Sequence, residues 1–126
     1  MRLARYLVFA SALIFIVVGA GFLLIPRQYA NILEISLPTA VARTDVRATY
    51  GGLELGFGIF LVLCVVRREW IRPGLWALAL GTGGFATGRL VGLVAEGTIN
   101  NFMLFFLMLE LAVTLLAVFL LRRSKS

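Results

Sequence analysis

The sequence predicts an all-α integral membrane protein, a four-helix bundle with a short interfacial helix between its first and second spans. Three observations carry that prediction. Of the 126 residues, 61% are hydrophobic and only 14% are charged, against the roughly 45–50% apolar content of an ordinary soluble domain. The apolar residues fall into four long stretches, each close to the ~20 residues a helix needs to cross the hydrocarbon core. The positive charges gather at the ends of those stretches. Four spans consume roughly two-thirds of such a chain, so residues 1–126 form a single transmembrane domain.

The first span covers residues 4–25 and stops at Pro26-Arg27. Gly19-Ala20-Gly21 offers small residues where a signal peptidase would cut. The apolar run nevertheless continues through Phe22 to Ile25, too long for a signal h-region of about 7–15 residues, and the span is read as retained. The second span, residues 46–66, ends at Arg67-Arg68-Glu69. The third, residues 73–95, begins at Pro73, which suits a first helical turn. The fourth, residues 100–121, begins at Asn100-Asn101, side chains able to cap a helix, and runs out at Arg122-Arg123. Between the first two spans, Tyr29, Ile32 and Leu33 recur at helical spacing within residues 27–37, which predicts a short helix lying on the outer interface.

Charge asymmetry sets the orientation. Arg2, Arg5, Arg67, Arg68, Arg72, Arg122, Arg123 and Lys125 flank one side, and Arg27, Arg43 and Arg47 the other. The richer side is cytoplasmic, so both termini are expected there, in a cell inner membrane. Trp70 and Trp76 near the inner ends, and Tyr29 and Tyr50 near the outer ends, fit aromatic belts. The net charge of +6 is explained by topology and by attraction to anionic membrane lipids. No basic run exceeds Arg122-Arg123, and no nucleic-acid partner is expected.

Composition also narrows the chemistry. The chain contains no histidine, which removes the usual nitrogen ligand of zinc, copper and haem; neither a metal nor a cofactor is expected. The single cysteine, Cys64, can form neither an intrachain disulfide nor a paired metal site, and is read as a buried small hydrophobe.

The informative residues are ionisable groups carried into the spans, because each is costly in hydrocarbon unless paired or wetted. On the second span Arg47, Tyr50, Gly51, Glu54 and Gly58 recur at the spacing of one helical face. Arg89 lies on the third span and Glu110 on the fourth. Two glycine ridges, Gly52 with Gly56 and Gly84 with Gly88 and Gly92, have the four-residue spacing that permits close approach between membrane helices. Arg89 adjoins Gly88 and is expected to reach Glu54, Glu110 or both. The five polar residues Arg47, Tyr50, Glu54, Arg89 and Glu110 form either an ion network that locks helix register or the polar floor of an outward-open cavity for a ligand headgroup. No catalytic residue is assigned.

The combination Arg47-x-x-Tyr50-Gly51-Gly52-x-x-x-Gly56-x-Gly58, then Gly88-Arg89, Gly97 and Glu110 resembles small bacterial four-helix membrane proteins catalogued as a domain of unknown function. More distantly it is similar to the DoxX-like group. The resemblance implies a four-helix membrane bundle with those five polar positions as its signature, and no established reaction. The expected function is a non-enzymatic membrane module: a ligand-binding or accessory subunit with membrane lipids, further copies of itself or a larger membrane complex as partners, and a small apolar molecule as possible ligand. A small transporter or channel using a membrane-embedded glutamate is the alternative. A lipid-modifying or isomerase-type enzyme with Glu54 and Glu110 as acid and base comes third.

Overall fold

Every regular element of the computed structural model, which describes residues 1–124, is a helix. Lys125, assigned above to the inner flank, lies outside the described residues. Four helices are long and apolar enough to cross a membrane: Arg2–Leu24, Ala40–Val66, Arg68–Glu96 and Asn101–Arg123. The protein is a multi-pass membrane protein of the expected class.

Helix α1, Arg2–Leu24, stops because of Pro26. A proline disfavours the α conformation in the residue before it, and Ile25 accordingly swings out to φ −134° and ψ 64°. Pro26 itself opens the short helix α2, Pro26–Ile32, where its missing N–H costs nothing. This is the predicted connecting helix, but it ends well short of residue 37. The backbone flips at Glu34, whose φ is 58°, and the Ile35 N–H donates to Ala30 O (2.9 Å) while the Glu34 N–H donates to Asn31 O (3.1 Å). That is a Schellman turn with a glutamate at the position usually held by glycine.

The second span starts earlier than hydropathy indicates. Thr39 caps helix α3, Ala40–Val46, by accepting a hydrogen bond from the Ala42 N–H (3.0 Å), and the chain stays helical from there. It passes through a seven-residue π-helix, Arg47–Leu53, into α4, Glu54–Val66. A 3-10 turn, Arg68–Trp70, leads into α5, Ile71–Glu96. Gly97, with φ 75°, closes α5 in the left-handed conformation that glycine adopts without penalty. Asn100 caps α6, Asn101–Arg123, its Oδ1 accepting from the Met103 N–H (2.7 Å).

The chain forms two compact units, Phe9–Leu63 and Met1–Val8 together with the chain from Cys64 onward. In the first, α1 and the second span meet backbone to backbone. A Cβ at Gly19 would lie 2.5 Å from Leu55 N and 2.9 Å from Gly51 O, and one at Gly58 would lie 3.0 Å from Ala12 O. At the same end Phe22, Ala30 and Val46 form a small core, with Val18, Leu33, Ile35 and Leu37 packed around it. Tyr29 meets the Phe22 ring edge-to-face and Tyr50 lies tilted against it, at centroid distances of 5.3 and 5.1 Å. In the second unit α5 packs along α6. The buried Cys64 lies against Gly74, where an added Cβ would sit 2.9 Å from the cysteine Cβ.

These approaches fall on glycines other than the predicted ridges. A Cβ at Gly56, Gly84, Gly88 or Gly92 would meet nothing within 4 Å, and one at Gly52 only Arg47 O at 3.8 Å. The reason on α5 is helical phase. Its buried face carries Leu75, Leu78, Thr82 and Ala86, and Gly84 and Gly88 lie two residues from that series, roughly 200° around the helix.

Replacing Gly19 or Gly58 with leucine must push two backbones apart, an overpacking that costs at least about 1–3 kcal/mol, whereas Gly88→Leu adds a side chain into open space. Thermal unfolding in lipid nanodiscs should show a large loss for the first two variants and a near-wild-type midpoint for Gly88→Leu. The reverse ranking would contradict the packing described.

A charged pair in the α5–α6 interface

Among the described residues, three polar rungs join α5 to α6. Leu75, Leu78, Ala79 and Ala86 on one helix, and Leu107, Ala117, Leu120 and Leu121 on the other, are buried. The inner rung is Arg72, whose Nη1 donates to Leu121 O (3.3 Å) and to Ser124 Oγ. The middle rung joins Thr82 to Thr114. The Thr82 hydroxyl donates to Leu78 O (2.6 Å) and lies 2.7 Å from Thr114 Oγ1. A hydroxyl has one proton to give, so Thr114 is the donor across the interface. The outer rung is Arg89 with Glu110, Nε donating to Oε1 at 2.5 Å. Sequence reasoning passed over both threonines and the role of Arg72. A hydroxyl within an apolar span was the available signal.

The Arg89–Glu110 pair lies well inside the spans. Arg89 is seven residues from the end of α5 and Glu110 nine from the start of α6, depths of ~10 and ~14 Å along the helices at 1.5 Å per residue. A charge at such depth is tolerated when it is paired, and here each neutralises the other. The side chains keep 18% and 11% of their surface. One α6 turn before Glu110, Phe106 presents its ring to Arg89, with Cζ 5.6 Å from the centroid, a favourable placement for a cation over an aromatic face. The ion pair is single-pronged. A guanidinium carries five N–H donors, and within this unit the one that is hydrogen-bonded is the Nε proton. The arrangement therefore offers an anchored, charge-balanced group whose ion pair uses one of its five donors.

The other predicted site residues belong to the other unit. Arg47 donates from Nε to Leu23 O (3.1 Å), so it closes the carbonyl end of α1, where a cation also complements the helix dipole. Tyr50 lies tilted against Phe22, and Gly51 and Gly58 touch α1. The face read from the second span is thus turned to α1. Glu54, the first residue of α4, is half-buried with one carboxylate oxygen fully covered. Of the expected partners, the structure brings Glu110 to Arg89, in one unit, while Arg47, Tyr50 and Glu54 belong to the other. The π-helix that carries Arg47 and Tyr50 had no distinct signature in the sequence. Among the described residues no three cysteine, aspartate or glutamate side chains converge on a metal site.

The family model described as "Domain of unknown function (DUF4345)" matches residues 3–121. The chain belongs to this family. No curated protein and no solved structure matches it. The DUF4345 match overlaps all four spans and includes both members of the ion pair, Arg47, Tyr50 and Glu54.

Removing one member of a buried pair strands the other, at a cost on the order of 3 kcal/mol. Arg89→Ala should lower the unfolding midpoint markedly, and Glu110→Gln added to it should restore part of the loss. Strictly additive losses in a double-mutant cycle would show that the two side chains do not interact.

Proposed function

We propose that this protein is a non-enzymatic membrane module, a ligand-binding or accessory subunit, in which the Arg89–Glu110 pair is the polar floor of a site open to the outer side. The observation that supports it most directly is the guanidinium itself. Within its unit it is held at depth by a hydrogen bond to Glu110 and by the Phe106 ring, it keeps part of its surface, and the ion pair uses one of its five N–H donors in surroundings where each unsatisfied polar group is costly. A bound headgroup with acceptor oxygens, on a small apolar ligand or a membrane lipid, satisfies those donors while its apolar remainder lies along the spans. Because Glu110 already balances the charge, the site has no need of a fully charged headgroup. In this reading the chain sits in the cell inner membrane with both termini cytoplasmic, a placement that rests on the distribution of its arginines.

A ligand site and a purely structural lock differ in the molecules they retain. Wild type and the Arg89→Ala/Glu110→Gln variant, purified in mild detergent, should be compared by native mass spectrometry and solvent extraction. Loss of one defined bound species in the variant is the expected result. The same set of bound molecules in both would reduce the pair to a register lock.

A further inference from the structure

The end of the molecule opposite to that pair carries a second unassigned feature. Within one compact unit lie the start of α1, the end of α4, the turn into α5 and the end of α6. Arginines collect there, and two of them are turned inward: Arg5 donates from Nη2 to Val65 O (3.4 Å), and Arg72 binds Leu121 O and Ser124 Oγ. Between these two inward arginines runs the Arg67-Arg68 turn, and Arg72's bonds hold the end of α6 beside it. Arg2, Arg67, Arg68, Arg122 and Arg123 remain exposed, and the only acid in these segments is Glu69.

Topology alone does not account for this set. Orientation in a membrane requires positive charge and is served by lysine as well as by arginine, yet seven of the eight basic residues on this flank are arginine. What arginine adds is a planar fork of donors that grips two oxygens of a phosphate together, where lysine offers a point charge. Aromatic rings also steady two of the exposed forks: Arg67 Cζ lies 4.9 Å from the Trp70 ring centroid and Arg123 Cζ 5.7 Å from that of Phe119. Since these residues end membrane spans, the phosphates at their level are those of lipids.

We infer that the arginines around the Arg67-Arg68 turn and the end of α6 form a docking surface for anionic phospholipid, gripping bidentately a headgroup phosphodiester whose charge, unlike that of phosphatidylcholine, no choline cation offsets. The surface is separate from the Arg89–Glu110 pair and does not depend on the function proposed for that pair. Arg68 and Arg122 are the residues to vary, because both are exposed and neither is used in the inward bonds. The full-length protein, its Arg68→Lys/Arg122→Lys variant and its Arg68→Gln/Arg122→Gln variant should be placed in nanodiscs of phosphatidylcholine with a graded fraction of phosphatidylglycerol. Co-ejected lipid is then counted by native mass spectrometry. Wild type should enrich phosphatidylglycerol over its bulk fraction, the lysine variant should lose most of that enrichment, about fivefold or more, and the glutamine variant should lose all of it. Reporter fusions on the lysine variant should show unchanged topology. No enrichment by wild type, or equal enrichment by wild type and the lysine variant, would overturn the inference. So would equal thermal stabilisation by millimolar inorganic phosphate in pure phosphatidylcholine, which would make the occupant a free anion.

Discussion

In a span surrounded by hydrocarbon, each backbone carbonyl at a helix end must find a donor within the protein or at its surface. Here the donors at three such ends are arginines lent by another helix. Arg47, near the start of the apolar part of the second span, reaches Leu23 O at the end of α1. Arg5 at the start of α1 reaches Val65 O at the end of α4, and Arg72 at the start of α5 reaches Leu121 O at the end of α6. An arginine at the start of a helix opposes its own helix's dipole, but beside an antiparallel neighbour it meets that neighbour's negative end. The fourth such end, that of α5, is closed locally by Gly97 in the left-handed conformation. The same requirement governs the middle of the membrane, where Thr82 with Thr114 and Arg89 with Glu110 leave the α5–α6 interface with its polar side chains facing one another.

Much of this was legible in the sequence because the signals are local. Spans follow from apolar runs, the stop after α1 from Pro26, the start of α6 from Asn100, and the pairing of Arg89 with a carboxylate from the cost of a lone charge in hydrocarbon. Of the face predicted from periodicity, Arg47, Tyr50, Gly51, Glu54 and Gly58, all but Glu54 are seen against α1, a neighbour that periodicity did not name.

The features that escaped depend on information a single chain does not carry locally. Glycine spacing of four is compatible both with a buried contact and with an open ridge. Gly19, whose partner is the backbone of Leu55 some 36 residues away, was indistinguishable from Gly88, which faces open space. The π-helix over Arg47–Leu53 leaves no composition cue beyond Gly51-Gly52, although it is the segment from which Arg47 reaches α1. Glu34 holds a left-handed turn that side chains other than glycine adopt only at a cost, a choice invisible until the backbone is seen.

The Arg89–Glu110 pair depends on the α5–α6 register, since sliding one helix by a turn would part the two and expose two charges to lipid. Disulfide trapping in native-like lipid reads that register directly. In a Cys64→Ala background, Thr82→Cys with Thr114→Cys replaces two hydroxyl oxygens 2.7 Å apart and should oxidise to an intrachain disulfide in high yield. Gly84→Cys with Thr114→Cys, placed off the interface, should not. Crosslinking of the second pair without the first would show that α5 meets α6 on another face, and the charged pair as described would not exist.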